Sequence, residues 1–285
     1  MRGMTTALDP LTGDTRLVAP DRAARLTHRS PDCPFCAGQE TDTPRETGRI
    51  DDATGAWRAR SFPNLFPLTE PHEVLVPTPR HVTSWHAVEL GELTAALDLL
   101  LERRAALAEP GRYVHAFVND GVAAGASIPH VHAQLVVVDA AHGDRLVHGV
   151  HAGSCTLCAL LADSAQPLLI TLDEGLALLA HPAPRIGGGL LITPTTHTAT
   201  FDVIDTAVLA RMLHRALRAI DDAVALNLWL VAHGGDTHWY LEVQPRSAGI
   251  AGVELALGIH VIAQEPEVTV RTAHERLRLR ADVES

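Results

Sequence analysis

The sequence predicts an α+β protein built from two similar halves, each an antiparallel sheet with one helix packed against it. Three observations support this prediction. A Cys-x-x-Cys pair occurs once in each half, at Cys33–Cys36 and at Cys155–Cys158. Two strand-like segments that carry a histidine follow each pair, and a helical pattern lies between these two histidines. Such a recurrence is typical of a tandem duplication, which divides the chain into expected domains at residues 1–140 and 141–285.

Periodicity places the elements of each half in order. Alternating apolar and polar residues predict strands at 58–62, 73–77, 113–119 and 131–138, with counterparts in the second half. Apolar residues at helical spacing predict one helix within 88–108 and another within 204–225. The polar, glycine-bearing segment 139–153 is the expected join between the halves.

Composition excludes several functional classes. The formal net charge of −11 over 285 residues argues against nucleic acid as a partner, because phosphate binding needs a basic surface. All 23 basic residues are arginines, which excludes P-loop, Schiff-base and kinase-type lysines. No apolar run is long enough for a membrane span, and no long apolar region follows the first arginine. We therefore expect a cytoplasmic protein without a membrane partner.

The cysteine pairs have two interpretations. Each pair could form a disulfide or remain as two buried thiols, but a disulfide is disfavoured in a reducing compartment. A two-residue spacing lets both thiolates face one tetrahedral ion, so that two histidines must complete the set.

The internal repeat supplies these histidines. His81 and His197 each follow an apolar strand and a proline-bearing turn, and His130 and His238 lie on later strands. Ordinary polar residues near turns are the alternative, but their recurrence in the same order favours metal. The sequence therefore predicts two structural zinc sites without an open coordination position, with these ligands: Cys33, Cys36, His81 and His130; Cys155, Cys158, His197 and His238.

Residues 117–134 carry the densest set of polar groups. Glycines such as Gly125 allow the main chain to approach an anion, and Asn119 and Ser127 offer hydrogen bonds to phosphate or ribose. His132 and Gln134 alternate with His130 and are expected on one strand face. A neutral His132 can attack phosphorus, and the Gln134 amide can donate to a phosphoryl oxygen. A half-buried histidine without chemistry is the alternative for His132.

The run from Asn119 to Gln134 reads Asn-x-Gly-x-x-x-Gly-x-Ser-x-x-His-x-His-x-Gln. It resembles the signature of the galactose-1-phosphate uridylyltransferase branch of the histidine-triad superfamily at every fixed position. Residues 9–25, 33–38 and 62–67 are similar to the N-terminal arm, the zinc turn and the nucleoside-binding turn of that family.

The resemblance implies transfer of a nucleotide through a covalent nucleotidyl-histidine. His132 is the implied nucleophile and Gln134 the group that stabilises phosphoryl charge, while Arg22 and Arg25 contact the phosphates and Asn64 the ribose. The implied donor is a nucleoside diphosphate sugar. The acceptor is a sugar 1-phosphate, as in galactose metabolism, or inorganic phosphate, as in ADP-glucose or dinucleoside polyphosphate phosphorylases. A catalytically silent nucleotide-binding protein is the third interpretation.

The second half departs from the family signature. Tyr240 occupies the position of His132 there, so we expect one active site per chain. The family's lysine and glutamine for the hexose phosphate have no clear counterparts, and Gln244, Arg246 and Gln264 are the candidates. The resemblance also implies a homodimer.

Overall fold

The computed structural model describes residues 5–19 and 33–284. The strands are β1 Thr5–Leu8, β2 Thr15–Val18, β3 Gly48–Asp51, β4 Trp57–Pro63, β5 His72–Val76, β6 Arg112–Asp120, β7 Ala133–Asp139, β8 Leu169–Asp173, β9 Leu176–Ala180, β10 Leu190–Pro194, β11 Leu226–Val231 and β12 Tyr240–Pro245. The helices are α1 Leu90–Leu107, α2 Ala140–Asp144, α3 Thr156–Ala162, α4 Thr206–Arg218, α5 Gly252–Leu257 and α6 Pro266–Glu284. Within these ranges, no helix combines the length and apolar character needed to cross a membrane.

Ten strands form one antiparallel sheet in the order β3-β4-β5-β7-β6-β11-β12-β10-β9-β8. Read from its two edges, the sheet has the same strand pattern in each half. The halves meet where β6 pairs with β11, with Phe117 opposite Trp229. The expected α+β class with antiparallel strands is confirmed. The two expected sheets are joined edge to edge, which satisfies the main-chain groups that β6 and β11 would otherwise expose.

One face of the sheet is covered by α1 and α4. Leu93 and Leu99 of α1 and Leu209 and Met212 of α4 are fully buried in the core on this side. The predicted helix over 204–225 ends earlier, at Arg218. Asp221 accepts a hydrogen bond from the Ala223 amide, 3.0 Å, and this turn leads into β11.

Two further expectations need correction. Strand β7 begins at Ala133 rather than at residue 131, so His130 and His132 lie in the segment that precedes it. The segment 139–153 contains α2, and its Val147 and Val150 are buried. Apolar side chains at these positions anchor the join to the sheet.

Candidate active site and metal centres

The first cysteine pair and its two histidines form a compact cluster. Sγ of Cys36 lies 3.3 Å from Nδ1 of His81 and 3.6 Å from Nδ1 of His130. Sγ of Cys33 is also 3.6 Å from Nδ1 of His130. A tetrahedral ion with bonds of about 2.3 Å to sulfur and 2.0 Å to nitrogen separates its ligand atoms by roughly 3.5 Å. The cluster therefore fits a single metal ion.

The second half repeats this arrangement. Nδ1 of His238 lies 3.4 Å from both Cys155 Sγ and Cys158 Sγ, and Nδ1 of His197 lies 3.4 Å from Cys158 Sγ. In both clusters, the four ligand atoms lie within 4.8 Å of one another. Both predicted ligand sets are thus brought together, and each can hold a metal ion.

Hydrogen bonds orient three of the four ligand histidines. In each of the three, Nε2 contacts a backbone carbonyl oxygen. Nε2 of His130 lies 3.0 Å from the carbonyl oxygen of Thr78. The corresponding distances are 2.7 Å from His197 to Asp236 and 3.0 Å from His238 to Pro194. Because a carbonyl only accepts, Nε2 carries the proton and Nδ1 presents its lone pair to the cluster. Burial also lowers the pKa of His130 to about 4, which keeps this imidazole neutral.

Two buried charged groups hold the turns that carry the first cluster. Arg60, fully buried, donates to the Pro34 carbonyl at 2.9 Å and to Thr43 Oγ1 at 2.8 Å. Glu92 accepts from Thr78 Oγ1 at 2.5 Å, next to the turn that leads to His81. Sequence reasoning missed both groups, since their partners are 14 or more residues away along the chain.

His132 is oriented by the main chain of its metal-cluster neighbour. Its Nδ1 lies 2.9 Å from the carbonyl oxygen of His130, so Nδ1 carries the proton and Nε2 keeps a lone pair. The ring of Phe35, from the cysteine turn, lies 5.4 Å from the His132 ring and meets it edge-on. The side chain is 4% exposed. The cluster and its turn thereby fix the position of the candidate nucleophile.

Gln134 is held by a histidine that the sequence analysis did not select. The Leu68 amide donates to Nδ1 of His72 at 2.8 Å, so the His72 proton is on Nε2. This nitrogen lies 3.1 Å from Gln134 Oε1 and donates to it. The amide NH2 of Gln134 is therefore turned away from His72. His72 lies two residues before Val74, which is the cross-strand partner of Gln134. The proximity of His72 to Gln134 therefore depends on the register between β5 and β7.

Of the candidate ribose-binding and phosphate-binding residues in the first part of the chain, the structure describes Asn64. Asn64 Oδ1 accepts from the Phe66 amide at 2.9 Å, and its Nδ2 lies 3.2 Å from His72 Nε2. This contact places Asn64 beside Gln134. Arg22 and Arg25 lie outside the described residues.

The end of β6 and the glycine-rich loop that follows it carry the remaining candidates. Gly125 has φ = 94°, a conformation that favours glycine. Asn119 Oδ1, in β6, accepts from Asn227 Nδ2 at 2.8 Å, and the same Nδ2 donates to the Ala124 carbonyl at 3.0 Å, which ties the loop to the second half of the sheet. Ser127 lies half-buried in the same loop.

Comparisons with known proteins relate this arrangement to a known fold. No known family profile matches the chain. A curated ADP-glucose phosphorylase from Arabidopsis thaliana is 24% identical, over 94% of this chain and 91% of its own. A crystal structure of an Arabidopsis thaliana ADP-glucose phosphorylase with bound ADP-glucose covers 96% of this chain and 99% of its own, with a TM-score of 0.73 and 21% identity. A structure of uridylyltransferase covers the same shares, with a TM-score of 0.75 and 21% identity. The chain therefore shares the fold of uridylyltransferase and of the Arabidopsis thaliana ADP-glucose phosphorylase.

In this uridylyltransferase-like fold, the second half presents different groups at the equivalent positions. Tyr240 stands in place of His132, and its hydroxyl donates to the Leu146 carbonyl at 2.8 Å. Glu242 stands in place of Gln134, and burial raises its pKa to about 7. The second half therefore has no counterpart of the candidate nucleophile at this position.

Proposed function

We propose that this protein is a nucleotidyltransferase that uses His132 to take a nucleoside monophosphate from a nucleoside diphosphate sugar. The orientation of His132 carries the proposal. Because Nδ1 donates to the His130 carbonyl, Nε2 is the atom that can attack the α-phosphorus. A bond forms between Nε2 and phosphorus, and the bond from phosphorus to the bridging oxygen breaks, so that a sugar phosphate leaves. A phosphate-bearing acceptor then takes the nucleotide and restores the free imidazole.

Neighbouring groups stabilise the charge that develops on the phosphoryl oxygens. With Oε1 of Gln134 bound to His72, its NH2 is the donor available to those oxygens. Asn119, Gly125 and Ser127 are proposed to contact the phosphates and Asn64 the ribose. Arg22 and Arg25 are proposed to supply positive charge to the phosphates.

Two structural zinc ions are proposed for the two clusters. Paired thiolates and imidazoles at tetrahedral separations are the donors that zinc prefers, and four protein ligands leave no position for water. The first cluster would then hold the cysteine turn and His130, and through them His132. We also interpret residues 1–140 as a catalytic copy and residues 141–285 as a catalytically inactive copy of one ancestral domain.

The acceptor distinguishes two versions of this function. Inorganic phosphate is favoured by the curated relative, an ADP-glucose phosphorylase whose similarity spans 94% of this chain. A sugar 1-phosphate is favoured by the fold shared with uridylyltransferase.

Protein labelling tests the proposal. ADP-glucose or UDP-glucose carrying a radiolabelled α-phosphate should leave an acid-labile, base-stable label on the wild-type protein and none on His132→Ala. Addition of inorganic phosphate would release the label as a nucleoside diphosphate, whereas galactose 1-phosphate would release it as a nucleoside diphosphate sugar. Nucleotide binding without any label would indicate a silent binding protein and contradict the proposal.

A further inference from the structure

A cavity of about 490 Å³ lies on the same side of the sheet as Gln134, where β6, β7 and β11 are neighbours. Val136 and Val138 of β7 contribute apolar lining, and Tyr113 and His115 of β6 contribute rings whose centroids are 5.9 Å apart. His132 and Gln134 are not among its lining residues. Its volume is within the range of small-molecule sites, so it can hold a ligand apart from the candidate nucleophile.

Two arginines, Arg145 and Arg185, line this cavity. Arg145 and Arg185 are exposed, and neither forms an ion pair within the described ranges. The guanidinium of Arg185 lies 5.2 Å above the ring of Trp229. Because the chain carries a formal net charge of −11, two arginines that line one cavity and form no ion pair among the described residues mark a place for a bound anion.

Polar atoms on β6 and β12, near the cavity, lack hydrogen-bond partners among the described residues. Glu242 is 5% exposed, and none of the described residues donates a hydrogen bond to its carboxyl group. Its nearest ionic neighbour is His181 Nε2, at 4.0 Å. Nδ1 of His115 and Oε1 of Gln244 are buried without hydrogen-bond partners. A buried polar group without a partner is destabilising, and a ligand or an ordered water that satisfies it offsets this cost.

The charge of Arg185 connects these groups. It lowers the pKa of Glu242, against the larger effect of burial, and it adds to the lowering of the pKa of both His115 and His181. Glu242 lies opposite Trp229 in the sheet, and Trp229 lies opposite Phe117, the cross-strand partner of Gln134. These four residues form one row across the sheet, and Arg185 lies above Trp229, next to the second-half counterpart of Gln134.

We propose that this cavity is a second, non-catalytic binding site for a nucleoside phosphate. The phosphate group would lie between Arg145 and Arg185, and the base would pack against the rings of Tyr113 and His115 and the apolar strand surface. No covalent step follows, because Tyr240 stands where the first half has its imidazole. This binding site is therefore additional to the function proposed for His132, and ligand binding to it does not depend on nucleotidyl transfer.

Equilibrium titration with AMP and UMP tests this site, with Trp229 fluorescence as the local reporter. We expect a saturable change in emission in the wild-type protein that is unaffected by His132→Ala and absent in Trp229→Phe. Arg185→Gln should weaken this binding at least tenfold, since a charge-assisted contact to phosphate is lost. The matched control is Arg278→Gln, an exposed arginine on α6, which should bind as the wild type does.

Three results would overturn the proposal. These are unchanged binding in Arg185→Gln, loss of the Trp229 signal in His132→Ala, or inorganic phosphate binding as tightly as AMP and UMP. Failure of protein labelling with intact Arg185-dependent binding would contradict only the proposed transferase function. The reverse pattern would contradict only this second site.

Discussion

Substitution of His72 tests how the candidate active site is organised. Its Nε2 donates to Gln134 Oε1 at 3.1 Å, and its Nδ1 accepts from the Leu68 amide at 2.8 Å. His72→Leu removes both hydrogen bonds while keeping a side chain of similar volume at a buried position. The Gln134 amide then becomes free to reverse, which would turn its oxygen towards the phosphoryl group.

The size of the effect follows from these contacts. Loss of one ordinary hydrogen bond changes a free energy by about 0.5–1.5 kcal/mol, or roughly 2-fold to 12-fold in rate. Loss of a donor that stabilises transition-state charge costs about 100-fold to 1000-fold. Because the reversed amide would be populated only part of the time, we expect His72→Leu to lower kcat by roughly 10-fold to 100-fold. KM should change by less than about threefold, since the ground-state contacts remain.

Steady-state nucleotidyl transfer from ADP-glucose or UDP-glucose measures this split between kcat and KM. His148→Leu, at an exposed position, is the matched control and should retain wild-type rates. Metal content and melting temperature should be recorded for both variants, because His72 is buried. A folded, metal-loaded His72→Leu protein with wild-type kcat would refute the role assigned to the contact between His72 and Gln134.

Three further changes have defined outcomes. Tyr240→Phe removes only the hydroxyl contact with Leu146 and should leave the rate of nucleotidyl transfer within about twofold of wild type. A loss of rate as large as that of His132→Ala would show that the second half takes part in catalysis. Cys33→Ser removes a candidate ligand of the first cluster. Elemental analysis should then find one metal ion fewer, and the melting temperature should fall by roughly 10 °C. An unchanged melting temperature would contradict a structural metal. Burial raises the pKa of Glu242 from 4.5 to about 7, so its protonation favours the folded state: this stabilisation is complete below pH 4.5 and is lost as the pH rises through 7. Relative to Glu242→Gln, the wild type should therefore lose about 3 kcal/mol of unfolding free energy between pH 4 and pH 8 in urea titrations, and parallel pH profiles would contradict this assignment.

The two cysteine–histidine clusters and the proximity of His130 and His132 could be predicted from the sequence because they depend on short spacings. A Cys-x-x-Cys turn presents two thiolates whatever surrounds it, and its recurrence before His81 and His197 identified the partners. The neighbouring pair His130 and His132 is coupled through a local main-chain contact, which two residues of sequence are enough to set.

Features that depend on long-range pairing could not be predicted in the same way. The joining of β6 to β11 brings together residues more than 100 positions apart, and no local pattern encodes that register. The contact between His72 and Gln134 spans 62 positions and depends on the alignment of β5 with β7. Arg60 reads as a surface residue by type, yet its hydrogen bonds to the cysteine turn make its burial possible.

The central claim is that Nε2 of His132 forms a bond to phosphorus, and mass spectrometry of the nucleotide-treated protein tests it most directly. After a brief incubation with ADP-glucose or UDP-glucose and proteolysis at alkaline pH, one peptide should carry a nucleoside monophosphate, with fragment ions that place it on His132. The same modification on another residue, or an unmodified His132 in a protein that still transfers nucleotide, would contradict the account.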